Sequence, residues 1–496
     1  MRHRSYLTAA VLLSVAGAAH AQSLRTITTP SGTYLVHGKE LVFSRLPGHS
    51  VDGTILWTFH DPVAICQSVS ISPAGNSGWA GLYLNAERLQ RFAITGPGTP
   101  TFENPAGPDS PSIVSAARTA DIAVLLDRPG APGSAFQLRA YNSSGTQLWV
   151  RDIPVQYQGV DPFMLKVSRD GSTVAVAFNA SGAGNILYFL DGASGNIVQS
   201  WSGEIGGIAS VDITSDGSLA FVQHTTNAAF GRVISRSTGQ EVFSAQGSGG
   251  GARYQISGDG NVLVMGGFSF HVYRNIGAAY TQVINFTAAT SWFGWASAVS
   301  ADGSTVAALS HNYGNGYQST QTRIWDVPSG SMLGMFPTVG SGNLQGSAVG
   351  AALSDNGQVL VASHWGTVEN SNTEVLVFNR SVQLVGGIDT PGSPFFVDIS
   401  PSGQYVMVGT KAVHANIMGN GGGVYMYDTG VGGGTCYANC DGSSATPVLN
   451  VADFSCFLTK FAANDNYANC DQSTAPPILN VADFSCFLTK FAAGCP

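Results

Sequence analysis

Charge is what this sequence has least of. Only 10% of its 496 residues are Asp, Glu, Lys or Arg, and the formal net charge is −8. Scattered Lys and Arg on an acidic chain leave no electrostatic footprint for nucleic acid. Long apolar runs are also missing, and none approaches the roughly 18 uninterrupted apolar residues of a membrane-spanning helix. Cysteine is scarce over the first 430 residues, where Cys66 stands alone in an apolar stretch, VAICQSVSI. Such a setting suits an inert buried thiol. G-x-S-x-G, H-E-x-x-H and phosphate-cradling glycine loops do not occur. Helical periodicity is nearly absent before Gly434.

The first residues carry the marks of an export signal. Arg2 and Arg4 precede a short apolar core, Leu7 to Ala18, and Ala19-His20-Ala21 fits a cleavage site. Cleavage there starts the mature chain at Gln22 and takes the net charge to −10. The expectation is a secreted protein, extracellular or attached to a cell surface, without a transmembrane segment. Glycine is abundant, at 62 residues, and with so little charge this suits an all-β protein with many tight turns.

From Ile27 to Tyr427 an apolar segment, a turn and a second apolar segment recur every 43 to 54 residues, the spacing of propeller blades. Copies include SVSISPAGN at 68, LKVSRDGSTVAVAF at 165, SVDITSDGSLAFV at 210 and YQISGDGNVLVMG at 254. Others are SAVSADGSTVAALS at 297, AALSDNGQVLVAS at 351 and VDISPSGQYVMVG at 397, with a degenerate one at 112 and a candidate, ITTPSGTYLVHG, at 27. Asp-Gly and Asn-Gly between β-prone runs mark hairpins that need positive φ. A second hairpin follows in most copies, as in TRIWDVPSGSMLGMF at 322. Four strands per repeat predict a β-propeller. Eight blades fit best, with the first residues and the final VYMYD strand sharing one closing blade; seven is the alternative. A β-sandwich array would not keep this period.

These turns and the IWD-like third strand resemble the YVTN and WD-repeat propellers, a likeness that implies a fold and not a substrate.

The tail is different. Tyr437 to Ala463 (YANCDGSSATPVLNVADFSCFLTKFAA) is repeated as Tyr467 to Ala493, with 4 of 27 positions changed. Each copy alternates Asn, Asp and Ser (Asn439, Asp441, Ser443; Asn469, Asp471, Ser473). An Asn and an Asp three apart then open a helix-like segment (Asn450, Asp453; Asn480, Asp483). Calcium takes six to eight oxygens, which such a loop can supply. Six of the seven cysteines lie here, and export favours disulfides. Six cysteines allow fifteen pairings. The duplication favours a bridge within each copy, Cys440 with Cys456 and Cys470 with Cys486, leaving Cys436 and Cys495 to clasp the ends. Zinc is the competing reading, without CxxC spacing or a nearby His to support it. The organisation expected is a signal at 1–21, a propeller at 22–430, a glycine-rich linker at 431–435 and a disulfide-rich α-helical module at 436–496.

The duplicated unit, with its FAAGCP ending, resembles the cysteine-bearing GC-type dockerins. That likeness implies two calcium loops, each followed by one helix, docking onto a cohesin-like protein. By position, Asn439, Asp441, Ser443, Asn450 and Asp453 would ligate one ion. Asn469, Asp471, Ser473, Asn480 and Asp483 would ligate the other. The loop carries about three residues more than the twelve-residue pattern. It also offers only two carboxylates, which predicts weak affinity suited to extracellular calcium, and the disulfides compete as the staple. Val451, Phe454, Phe457, Leu458 and Phe461 fall on one apolar helix face, expected to pack against its twin. Partner-reading positions would be Val451, Ala452, Thr459 and Lys460, mirrored by Val481, Ala482, Thr489 and Lys490.

Within the propeller, His224, His311 and His364 fall eight or nine positions beyond their turns, with Lys411, His414 and Asn179 in the same region. Loops there open on the face opposite the Asp-Gly turns. With Trp365 and Tyr313, these residues are candidates to hold a metal, an anion or a sugar; the competing reading is that they are solvated loop residues. Clustered carboxylates are missing there, which argues against paired-acid glycoside hydrolysis. No cofactor other than calcium is evident. The reading is a non-catalytic recognition protein, for a glycan or protein ligand, tethered by its C-terminal module. The alternative is an enzyme (a polysaccharide lyase or hydrolase, or an oxidoreductase) delivered by the same module.

Overall fold

The structure, a computed structural model, describes strand backbone at 25–29, 32–37 and 40–45. It also describes residues 53–493 apart from 84–87, 106–112, 129–134, 154–163, 181–183, 204–206, 226–228, 250–252, 278, 340–347, 367–372, 415–418, 432–437, 442–448, 471–472 and 474–475. The export signal lies outside the described residues.

Eight four-stranded antiparallel sheets form an eight-bladed β-propeller followed by two helices. The blades span residues 65–105, 113–152, 165–203, 207–246, 254–287, 292–339, 348–388 and 394–428, each running from its innermost strand outwards. The eighth supplies only three strands; Thr54–Asp61 completes it from outside, pairing with Gly422–Asp428 from Asp61↔Gly422 to Thr54↔Asp428. This is the shared closing blade expected from the VYMYD strand, and it links the two ends of the ring. The candidate repeat at 27 is not a blade: Arg25–Thr29 and Gly32–His37 belong to a separate three-stranded sheet with Glu40–Arg45.

Alternation along each strand builds the core. In Thr173–Ala180 of the third blade, Val174, Val176 and Phe178 pack against the second blade, while Ala175 and Ala177 pack against the fourth. Each seam between neighbouring blades is filled by one such apolar cluster. The inner strands are therefore buried on both faces, which explains why they read as nearly continuous apolar runs, whereas outermost strands such as Ile197–Gly203 are largely exposed. Cys66 lies inside the seam that joins the first and eighth blades. Its thiol is buried and donates to the Ser68 carbonyl at 3.6 Å, and burial pushes its pKa far up.

The S-x-D-G turns have a local cause. In Ser168–Gly171 the Ser168 hydroxyl donates to Asp170 at 2.6 Å and accepts from the Thr173 amide at 3.0 Å. The Asp170 carboxylate accepts from the Ser172 amide. Positive φ falls on the glycine alone, at +74°, so the turn needs Gly in one place only. Successive turns also join: the Asp170 amide donates to the Ser215 carbonyl, and the Ser215 amide donates to Gly258.

In the C-terminal module, α1 (Val451–Ala462) and α2 (Val481–Ala493) pack around Phe457 and Phe487.

Candidate functional site

Strand register decides where the histidines go. His224 pairs with Ile208 and His364 with Ala348, each beside a bulge in the innermost strand. His311 pairs with Phe293, one residue further along. A one-residue offset turns a side chain to the opposite sheet face. His224 accordingly looks back at the third blade, with Nε2 3.1 Å from Asn185 Nδ2. Asn179 looks forward at the fourth blade, where its amide brackets the Ile208 N–H and carbonyl at 2.7 and 3.1 Å. His364 and His311 lie in the seam between the sixth and seventh blades. Burial pushes both imidazoles down to about 4, and His311 adds to the effect on His364. These are buried seam residues rather than groups on an open loop.

Trp365, Lys411 and His414 do come together, between the seventh and eighth blades. The Lys411 ammonium lies 4.8 Å from the Trp365 ring centre and 6.0 Å from that of Phe395, and burial pushes its pKa down to about 8. His414 Nε2 stands 3.3 Å from Glu374 Oε1, while Glu374 Oε2 accepts from the Thr390 amide at 2.8 Å. Glu374 is fully buried, and burial raises its carboxyl pKa against the pull of His414. Gly366 makes room for this pair, since a Cβ there would fall 2.4 Å from Glu374 Oε1. The Lys411–Trp365 contact and the Glu374–His414 pair thus lie in one seam, while His224 stands in a different one.

The central channel carries a second constellation that sequence reasoning missed. Neighbouring innermost strands do not pair directly, so their edge amides need other acceptors. Side chains from the preceding blade supply them. Ser70 accepts from Ala116, Ser115 from Val167, Asp212 from Ile256 and Asp398 from Ile71, at 2.8 to 3.1 Å. The signal was the polar residue inside each apolar triplet, as in VDIS or LKVS. Cations answer these carboxylates. Arg118 grips Asp398 through both terminal nitrogens at 2.6 and 2.8 Å, Lys166 lies 3.7 Å from Asp212, and Arg169 pairs with Asp355. Burial, reinforced by Arg118, lowers the Arg169 pKa to about 10, and burial raises that of Asp212 despite Lys166. Together they line a cavity of about 180 Å³.

The module brings its expected bridges together: Cys440–Cys456 and Cys470–Cys486 are disulfides. Cys436, Cys495, Ser443 and Asp471 lie outside the described residues. Asp453 and Asp483 are fully buried at the helix starts, where their carboxylates accept from the Asn450 and Asn480 amides at 2.9 and 2.8 Å. The Asn450 and Asn480 side chains cap the helices, accepting from Ala452 and Ala482 at 2.8 Å. The Asp441 amide lies 3.2 Å from Asp453, which folds the loop over the helix start. Asn469 donates to the Ser473 carbonyl at 3.0 Å, while its own Oδ1 is buried without a hydrogen-bond partner. A buried amide oxygen and a buried carboxylate in one loop-helix unit are ligand types that a hard cation accepts. Among the described residues no three His, Cys, Asp or Glu converge on a metal position, so amide and hydroxyl oxygens would have to complete the shell. Sequence gave the apolar helix stripe one role, but the structure divides it. Phe454, Phe457 and Phe461 belong to the core, whereas Val451 and Val481 are 80% and 78% exposed. Ala452, Thr459, Ala482, Thr489 and Lys490 are exposed as well, and Lys460 is half-buried over Tyr467.

No protein-family profile matches the chain, and no curated protein matches it. Solved structures do. The C-terminal WD40 domain of Sif2 superposes with a TM-score of 0.52 at 13% identity, covering 75% of this chain and 97% of that one. The fold is WD40-like. BamB from Moraxella catarrhalis gives 0.50 at 13% identity, covering 76% and 99%. At such identities the likeness of this propeller extends to architecture alone.

Proposed function

We propose that this chain is an exported recognition protein, whose eight-bladed propeller presents a ligand surface and whose C-terminal module tethers it to a cohesin-like partner outside the cell. The observation that carries the reading is the twin exposure of Val451 and Val481. Each helix commits its phenylalanines to the shared core and leaves the same valine, alanine and threonine to solvent. Exposed apolar residues repeated at equivalent positions of two copies suit a protein contact better than a solvated surface. Asn469 Oδ1 and the buried Asp453 and Asp483 support calcium as the ion that fixes each loop.

Lys411 supports a second reading, a tethered enzyme. An amine with its pKa near 8, in the same seam as a buried Glu374–His414 pair, supports an acid–base or nucleophilic site. Turnover lost on Lys411→Met would separate that reading from the first.

The tether is tested on the native source. Washing cells or their extracellular complexes with a calcium chelator is expected to release a chain that begins at Gln22, and Val451→Asp with Val481→Asp to leave it free in the medium. A chain retained inside the cell with its first 21 residues intact would overturn the proposal.

A further inference from the structure

The channel holds four cations, Arg118, Lys166, Arg169 and Arg253, against three carboxylates, Asp212, Asp355 and Asp398. Two contacts cross it at different levels. At one level Arg253 of the fifth blade reaches the eighth, with its guanidinium 4.8 Å from the Phe396 ring centre, and donates to the Val349 carbonyl of the seventh at 3.3 Å. At the level of the S-x-D-G turns, Arg169 of the third blade pairs with Asp355 of the seventh, four blades away in a ring of eight. Between these levels the cavity of about 180 Å³ remains, room for on the order of a dozen waters. Gln255 projects into its lining from the innermost strand of the fifth blade, and its Oε1 is buried without a hydrogen-bond partner. A chamber of this size with a polar acceptor in its wall can take a small ligand in place of water.

We propose that this chamber binds a small hydroxycarboxylate, whose carboxylate takes the Arg169 guanidinium from Asp355 and whose hydroxyl donates to Gln255 Oε1. The inference rests on the propeller being the recognition half of the protein. Three features select this ligand class. Guanidinium groups match carboxylates in a planar, two-bond geometry. The positive surplus of the lining favours an anion. The Gln255 oxygen requires a donor on the same molecule. Asp355 is the displaceable partner: its side chain is 35% exposed against 12% for Asp398, so it can turn to water when the ligand enters. Asp355 is thus an internal competitor for the site.

The test uses the full oxidised chain, with L-malate as probe, succinate as its analogue without the hydroxyl, and glucose as a neutral control, followed by calorimetry at low salt. Malate is expected to bind, succinate several-fold more weakly, and glucose not at all. Arg169→Gln should weaken malate at least tenfold, whereas Asp355→Asn should tighten it several-fold. A purely structural ion pair predicts that both variants lose stability and neither changes binding, and that outcome would overturn the proposal. So would failure of malate to bind the parent chain and every folded variant. Equal binding of malate and succinate would remove Gln255 from the site and overturn the hydroxycarboxylate assignment. Should Asp355→Asn not fold, the parent's discrimination among the three probes decides alone. Calcium binding by the module is read separately, so failure here leaves the tether standing.

Discussion

Phe457 and Phe487, the same residue of two copies, stack with ring centres 4.2 Å apart and planes 18° from parallel. Both are fully buried, and beside them Phe454 and Phe484 meet each other edge-to-face at 5.5 Å. The duplication therefore forms one core from two halves. Neither half holds enough apolar surface to fold alone.

That core predicts an unequal response to truncation. Phe457→Ala should cost about 3–5 kcal/mol, more than so small a module can lose. Its helices should melt while the propeller transition stays unchanged in calorimetry. A single shared transition, shifted as a whole, would contradict independent folding of the two parts.

Each disulfide closes a loop with a sequence separation of 16, and a loop of that length stabilises by about 3 kcal/mol. Cys456→Ser with Cys440→Ser should therefore lower the module's transition markedly without calcium, and much less when calcium is present to staple the same loop. Equal losses in both conditions would mean that the metal contributes nothing to loop order.

The seam histidines predict acid lability with a definite sign. His311 and His364 titrate near 4 in the fold, against 6.5 for the free side chain. The unfolded chain therefore binds more protons between these values, and stability falls as pH drops from about 6.5 to 4. The full effect is on the order of 3 kcal/mol for each histidine. Asp127 acts oppositely. Burial pushes it up to about 6 despite Arg139 at 3.2 Å, so its contribution falls as pH rises from about 4 to 6. The test is a comparison of urea unfolding for His364→Leu and the parent at pH 7.5 and 4.5. The parent should lose more stability on acidification; parallel losses would refute the assignment.

Much of this architecture was legible in the sequence, because hairpin turns advertise themselves chemically. Gly217 shows why. Its φ is +66°, and a Cβ there would lie 2.3 Å from Thr173 of the preceding blade. Gly217→Ala should cost about 1–3 kcal/mol from backbone strain alone, with more from the contact. Blade count and the closing strand followed from counting such turns. The seam positions of His224, His311 and His364 were not legible, because they depend on bulges in the innermost strands, as between Ile208 and Ser210. A bulge moves register by one residue and leaves no signature in composition. The channel network was hidden for another reason: Arg169 and Asp355 are 186 residues apart, and only ring closure makes them neighbours. The exposed valines were misplaced by helical periodicity, which groups Val451 with Phe454 and Phe457 although Val451, the first residue of its helix, is 80% exposed.

The central claim is that two equivalent loops hold calcium and so build a docking module. Calorimetric titration of the full, oxidised chain with calcium tests it most directly, beside a variant carrying Asp453→Asn and Asp483→Asn. The account predicts two bound ions in the parent and neither in the variant, with the propeller transition unaltered. A folded, fully disulfide-bonded parent that binds no calcium would contradict it, and leave the disulfides as the sole staple of the module.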